Sequence, residues 1–252
     1  MTGCIQQVAF GPQNHATARV LSRNGAEVVA PREQACCGAL HAHSGEHELA
    51  MDLARRTIQV FESAAVDHVI VNTSGCGAHM KSYGTLLGGD PEWRDRASRF
   101  AARVRDIAEF LAMEPLRGPL RAVARVVTYH DPCHVVHGQK IRMEPRALLG
   151  QVPGLTLVEL PEADWCCGSA GTYNLVQPEM ARRLQQRKIA HIRETGADAV
   201  ITANPGCIIQ IAQGLGAAGA PVEVLHIVDV LDQAYSDPSP TRGRGKGEGA
   251  GG

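Results

Sequence analysis

The sequence predicts an α/β protein made of two tandem copies of one unit, each built on a parallel sheet. Three observations carry this expectation: a duplicated cysteine spacing, short apolar strands alternating with amphipathic helices, and cysteines that fall just after the strands. The eight cysteines stand at positions 4, 36, 37, 76, 133, 166, 167 and 207, and matched pairs are offset by 129, 130, 130 and 131 positions. Neighbouring sequence repeats as well. DHVIVNTSGC at 67–76 answers DAVITANPGC at 198–207, and MDLARR at 51–56 answers PEMARR at 178–183. A spacing kept over four cysteines marks a duplicated unit of roughly 130 residues.

In the first unit, PQNHATARVLSRNG (12–25) reads as a helix stopped by Gly25. AEVVA (26–30) reads as a short strand leading to Cys36-Cys37-Gly38. Residues 45–64 form an amphipathic helix with Leu49, Leu53, Val60 and Phe61 on one face, and HVIVN (68–72) is a buried strand before Cys76. In the second unit, RVVTY (125–129), LTLVEL (155–160), AVITA (199–203) and VEVLHI (222–227) read as strands, with a helix over 178–195. Strands alternating with helices give parallel sheets with right-handed crossovers, that is, two Rossmann-like units related by a pseudo-twofold.

The expected boundaries are 1–118 for the first unit and 119–235 for the second. Residues 236–252, rich in Pro, Gly and charge without apolar anchors, are expected to be disordered. One asymmetry stands out. RVVTY precedes Cys133, but only Met1, Thr2 and Gly3 precede Cys4. The missing central strand is expected to come from chain upstream of Met1, outside a shortened gene model, or from a separate polypeptide.

A net charge of −1 and a pI near 6.8 give no global case for nucleic acid or an anionic membrane as partner. There is no apolar run of membrane-spanning length and no basic-then-apolar leader at the N-terminus. The expected location is therefore the cytoplasm, where thiols stay reduced, with membrane contact at its inner face only through partners. No P-loop occurs, and a flavin, if involved, belongs to a partner.

Ligand groups in parallel sheets gather at the carboxyl ends of strands. Three loops per unit would therefore bring together Cys4, Cys36, Cys37 and Cys76, and likewise Cys133, Cys166, Cys167 and Cys207. Three occupants compete. Buried inert cysteines would not keep one spacing twice. Zinc takes four thiolates but draws them from C-x₂₋₄-C knuckles, which both units lack. An iron–sulfur cluster is wider than one ion and accepts adjacent cysteines on different irons. Gly38 and Gly168 would let backbone approach and offer N–H groups to sulfur.

His130, His134 and His137 surround Cys133, with His134 and His137 on one helical side; they are expected to hydrogen-bond to sulfur or loop backbone. His41, His43 and His79 are read as loop or supporting residues. Asp131-Pro132 suits a turn, Arg142 and Arg146 an exposed helix face or an acidic partner, and Trp165 packing. No catalytic residue is assigned.

The doubled pattern resembles the cysteine-rich "CCG" domain pair. That pair occurs in a subunit of heterodisulfide reductase, in lactate-utilisation iron–sulfur proteins, and in the iron–sulfur subunits of glycolate oxidase and anaerobic glycerol-3-phosphate dehydrogenase. The segments TGCIQQVAFG, APREQACCGALHAHSGE, VNTSGCGAHMKSYG, YHDPCHVVHGQ and WCCGSAGTYNLVQPEMA are most similar to the glycolate oxidase iron–sulfur subunit. The resemblance covers about residues 2–235. It implies one or two iron–sulfur clusters, [4Fe–4S] in type, held by the two cysteine sets. It also implies electron transfer from a flavin-containing hydroxy-acid dehydrogenase subunit toward a quinone or other acceptor. A ferredoxin-like iron–sulfur region or subunit would be a further partner, and the chain would not be active alone.

Two departures bear on this. The heterodisulfide reductase version ends each unit in C-x-x-C, where this chain has CGAH (76–79) and CIIQ (207–210). The two C-x₂-C-x₂-C-x₃-C-P runs of a ferredoxin-like region are absent as well. The competing expectations are a heterodisulfide-type thiol–disulfide enzyme or a lactate-utilisation protein, and a zinc-stabilised module bridging other subunits, with zinc at one site.

Overall fold

A computed structural model describes residues 1–235, in which every strand pair is parallel. The tail at 236–252, expected to be disordered, lies outside the described residues. The first half runs α1 (Cys4–Ala9), α2 (Gly11–Arg23), α3 (Ala39–His43), α4 (His47–Ser63), β1 (Val69–Val71), α5 (Ser74–Lys81), α6 (Tyr83–Leu86), α7 (Arg94–Arg103), β2 (Val104–Asp106) and α8 (Ile107–Leu111). The second half runs β3 (Arg125–Tyr129), a π-helical turn (His134–Gln139), α9 (Glu144–Leu149), β4 (Leu155–Val158), α10 (Tyr173–Val176), α11 (Pro178–Glu194), β5 (Ala199–Thr202), α12 (Pro205–Ala217), β6 (Glu223–His226) and α13 (Ile227–Tyr235). The expected α/β class with parallel sheets is the observed one. The second half holds a four-stranded sheet in the order β4-β3-β5-β6, and the first a two-stranded sheet, β1-β2.

The central strands are short, β-branched and covered by helices. All four residues of β5, Ala-Val-Ile-Thr, are buried, as a strand packed on both faces requires. Each fully buried aliphatic side chain such as Ile201 contributes about 1.5–3 kcal/mol. β2 was not expected from the sequence. Three residues are too short for a period-2 signal, and its last residue, Asp106, also caps α8 by accepting the Ala108 N–H.

The expected strand at 26–30 is not formed. By the repeat it corresponds to β4, and β4 pairs only with β3. Among the described residues nothing stands where a β3 counterpart would lie, so 26–30 has no neighbour to complete a ladder. A cavity of about 540 Å³, lined by residues 25–30 on one side and Val69 and Ile70 on the other, occupies that place. Val29 is half exposed as a result.

The face of α4 also differs from the periodicity reading. Ala50, Ala54, Thr57, Ile58 and Phe61 are buried, while Leu49 is exposed. The reason is steric: Gly38 of the Cys-Cys-Gly loop rests on the Ala50 backbone, and only a small residue lets the helix come that close. In the second half Gly168 rests on the carbonyl of Ala181 in α11. The structural counterpart of Ala181 is thus Ala50. The MDLARR–PEMARR match is slid by one helical turn.

The largest apolar cluster crosses between the halves. Ala16, Val20 and Leu21 of α2 pack with Val127 of β3 and with Val228 and Leu231 of α13. Smaller clusters sit beneath each cysteine loop: Ile58, Met80, Tyr83 and Phe100 in the first half, Ile189, Ile192, Ile211 and Leu215 in the second. Two hydrogen bonds join the ends of the central strands. Ser74 N–H donates to the Ala203 carbonyl at 3.1 Å, and His226 Nε2 donates to the Asn72 carbonyl at 2.8 Å. His226 Nδ1 accepts the Val228 N–H, which places the proton on Nε2.

Gly38 (φ +85°) and Gly168 (φ +94°) both adopt the left-handed region, but their surroundings differ. A Cβ on Gly168 would lie 2.3 Å from the Ala181 carbonyl oxygen, whereas one on Gly38 would lie 3.2 Å from the Ala50 oxygen. Gly168→Ala is expected to cost about 2–3 kcal/mol and Gly38→Ala about 1 kcal/mol. Urea denaturation of the metal-free proteins checks this, and equal losses would contradict the packing argument.

Candidate metal centre

Each half delivers its cysteines by the same three devices. β1 and β5 run through short turns into α5 and α12, where Cys76 and Cys207 are the third residues. A helix N-terminus carries unpaired N–H groups and partial positive charge, which favour a thiolate there. Cys36-Cys37 and Cys166-Cys167 lie in loops whose glycines turn the chain to positive φ. The Gly38 N–H then donates to Cys36 Sγ at 3.4 Å, and the Gly168 N–H to Cys166 Sγ at 3.3 Å. Cys4 opens α1, and Cys133 precedes the π-helical turn. Single π turns of this kind recur at functional sites.

All eight cysteines line one cavity of about 280 Å³ between the halves. None is in a disulfide. Within the first set, Cys4 and Cys36 Sγ are 3.6 Å apart and Cys37 and Cys76 Sγ 3.0 Å; in the second, Cys167 and Cys207 Sγ are 3.3 Å apart. Such crowding suppresses ionisation. Hydrogen bonding to the adjacent Cys167, then burial, pushes the Cys166 thiol up, and the Cys37 hydrogen bond with burial does the same to Cys36. Burial first, with the neighbouring Cys36 and Cys166 charges, also raises Cys4 and Cys133. Four thiolates in this space need a cation among them, so the residues fit a metal centre.

His130 is buried beside the second set. Its Nδ1 faces the Ala163 carbonyl at 3.1 Å, which fixes the proton there and leaves Nε2 a free lone pair without a hydrogen-bond partner. A ring nitrogen of His130 and the sulfurs of Cys167 and Cys207 lie within 4.8 Å of one another. Burial, with the nearby Lys188 charge, lowers its pKa to about 3. His134 lines the cavity, its Nδ1 3.8 Å from Cys133 Sγ, and its ring stacks on His43 at 5.5 Å. His79 meets His43 edge-on, and burial followed by the charges of His43 and His134 brings it to about 4. His137 is exposed and outside the cavity, because the π turn rotates it away from His134. His41 is likewise outside the cavity lining.

Arg142 is exposed, as expected of an outer helix face, whereas Arg146 turns inward. Arg146 pairs with the buried Asp131 at 2.8 Å and with Glu159, and Arg142 reaches Asp164 at 3.5 Å. Trp165 is exposed, with the Arg187 guanidinium 4.8 Å over its ring. Sequence reasoning missed Lys188, a buried ammonium on the inner face of α11 that donates to the Glu162 and Ala163 carbonyls. The signal was present, since Lys188 falls in register with Ala181, Gln185 and Ile192 on the buried stripe.

Two α/β halves that turn eight reduced thiols onto one shared cavity define a cysteine-rich protein suited to holding a metal centre. The chain belongs to the cysteine-rich domain (CCG) family, which it matches over residues 1–81 and 127–212. It is 40% identical over 237 residues to a probable glycolate oxidase iron–sulfur subunit of Bacillus subtilis, covering 92% of this chain and 53% of that protein. It is 36% identical to a subunit of the fumarate reductase (CoM/CoB) of Methanothermobacter marburgensis (94% and 46% covered), and 33% identical to lactate utilization protein A of Exiguobacterium (91% and 94%). The chain thus spans about half the length of the first two relatives and nearly all of the third. No described helix is long and apolar enough to cross a membrane.

The buried histidines make the metal-free protein sensitive to acid. His130 and His79 titrate near 6.5 when unfolded but only at about 3 and about 4 in the fold. The stability they contribute is complete above pH 6.5 and is lost as pH falls toward 4, because the unfolded chain takes up protons first. Asp106 works in the opposite sense, since burial raises it from 3.8 to about 6, so the fold protonates first there. Burial also lowers His134 and His226, so the histidines outweigh Asp106 and leave a net loss of about 3 kcal/mol or more between pH 7 and pH 4.5. Urea midpoints across that range check it; a flat profile, or one that His130→Asn does not flatten, contradicts the assignment.

Proposed function

We propose that this chain is an iron–sulfur electron-transfer subunit of a 2-hydroxy-acid oxidase or dehydrogenase complex of the glycolate type. The observation that carries the reading is the single cavity lined by all eight thiols, with Sγ–Sγ distances of 3.0–3.6 Å and no disulfide. Iron–sulfur clusters supply one-electron transfer. Cys133, Cys166, Cys167 and Cys207 would hold one and Cys4, Cys36, Cys37 and Cys76 the other, each of [4Fe–4S] type. The Gly38 and Gly168 N–H groups would hydrogen-bond to ligand sulfur and tune the potential. The relative named as a probable glycolate oxidase iron–sulfur subunit supports the coarser reading of an iron–sulfur oxidoreductase subunit.

The substrate-oxidising flavin would sit on a partner subunit, and the final acceptor would be a quinone or similar carrier. Ile5, Leu40 and Ile209 line the cavity and are exposed, which gives a partner an apolar rim to cover. The two halves, 1–118 and 119–235, are read as the two binding units. A second reading has its own observation: the His130, Cys167 and Cys207 donors lie close enough to hold one zinc ion in the second set.

Anaerobic purification with iron, sulfide and zinc analysis separates these readings. A brown protein with iron and sulfide in equal amounts is expected, and Cys166→Ser/Cys167→Ser is expected to lose about half the iron. A colourless protein with stoichiometric zinc and no iron would sink the electron-transfer reading.

A further inference from the structure

The two cysteine sets repeat in position, but the ground beneath them does not. α4 and α11 are each 17 residues long, and each lays an alanine under its loop glycine, Ala50 under Gly38 and Ala181 under Gly168. Seven residues further along the same buried face stand Thr57 in α4 and Lys188 in α11. Both are buried, at 2% and 1% exposure. One copy therefore carries a neutral hydroxyl where the other carries an ammonium.

Lys188 has no carboxylate of its own. Its Nζ donates to the carbonyls of Glu162 and Ala163. The side chain of Glu162 is held by Arg187 and His191, and Asp164 by Arg142. Burial disfavours the Lys188 charge, which Cys167, Glu162, Asp164 and Cys207 support. The Ala163 carbonyl that receives Lys188 also receives His130, and a His130 ring nitrogen lies within 4.8 Å of the Cys167 and Cys207 sulfurs. Lys188 acts electrostatically on Cys166, Cys167 and Cys207.

We propose that Lys188 is the positioning charge that makes the centre held by Cys133, Cys166, Cys167 and Cys207 easier to reduce than the centre held by Cys4, Cys36, Cys37 and Cys76. An electron adds negative charge to a thiolate-bound centre, and a fixed ammonium beneath it favours the reduced form. One electron shared between the two centres then rests on the second. The proposal builds on the iron–sulfur reading and adds a direction to it.

The test is a dithionite titration of the anaerobically loaded full chain at pH 8, followed by visible absorption and electron paramagnetic resonance. Cys36→Ser/Cys37→Ser isolates the second centre and Cys166→Ser/Cys167→Ser the first. The second centre is expected to titrate at the more positive potential. Lys188→Gln keeps a donor for the two carbonyls but removes the charge. It is expected to lower the equilibrium constant for reduction of the second centre about tenfold, about 59 mV for one electron. Lys188→Arg should hold the potential, and Thr57→Lys should raise that of the first centre. The proposal is overturned if Lys188→Gln leaves the potential unchanged at full iron content, or if the first centre titrates at or above the second. Should Lys188→Gln lose its circular dichroism signal, the order of the two unmodified centres decides. Absence of iron from the unmodified protein is read beforehand by metal analysis and is a failure of the iron–sulfur reading itself.

Discussion

The geometry of the site depends on how the two central strands end against each other. Ser74 N–H reaches the Ala203 carbonyl, and His226 reaches the Asn72 carbonyl, so the exit of β1 is tied to those of β5 and β6 across the boundary between the halves. Cys76 and Cys207 follow the exits of β1 and β5 by a few residues. The tie is backed by polar and apolar contacts. Asn72 also accepts from Gln6 at 2.9 Å and donates to Thr17 at 2.8 Å, drawing α1 and α2 to the same point. The apolar cluster shared by α2 and α13 closes the other side. A rigid boundary of this kind is what lets six separate loops present thiols to one cavity.

That cavity is an electrostatic problem that the protein alone leaves unsolved. Thiols 3.0–3.6 Å apart resist ionisation, His130 keeps an unused lone pair, and the buried Lys188 hydrogen-bonds to backbone carbonyls rather than to a carboxylate. Each of these would be costly in a finished interior, where buried polar groups find partners. They become consistent together once a cation-containing anionic centre stands among them. Thiolates then gain their metal, and the ammonium gains an anionic neighbour. The excess of unsatisfied chemistry at one place is therefore the physical argument for a bound centre, independent of any relative.

Much of this was legible in the sequence because duplication writes the same constraint twice. The cysteine offsets gave the unit length, and the strand-then-cysteine order placed the thiols at sheet ends. What escaped were features set by neighbours rather than by period. The segment 26–30 has strand composition, but a strand needs a partner, and the described residues offer none at β3's position. The buried stripe of α4 follows Ala50 because Gly38 must touch it, although Leu49 is the more apolar residue. His137 left the site because the turn after Cys133 is π-helical, a widening that a spacing of three residues does not announce. Lys188 was hidden by the habit of reading lysine as solvent-facing.

Duplication also explains why differences between the copies carry more functional meaning than their likeness. Two identical centres facing one cavity would give a shared electron no preferred resting place. Alignment by the glycine contacts pairs Ala50 with Ala181 and so pairs Thr57 with Lys188, and the cysteine offset pairs Met1 with His130. Both departures place a basic side chain beside the second set, and none does so at the same positions of the first. The apolar clusters beneath the two loops include neither Thr57 nor Lys188. A buried lysine bonded to backbone carbonyls beneath the second cysteine loop, and acting electrostatically on Cys167 and Cys207, is best understood as a charge kept for the centre above it.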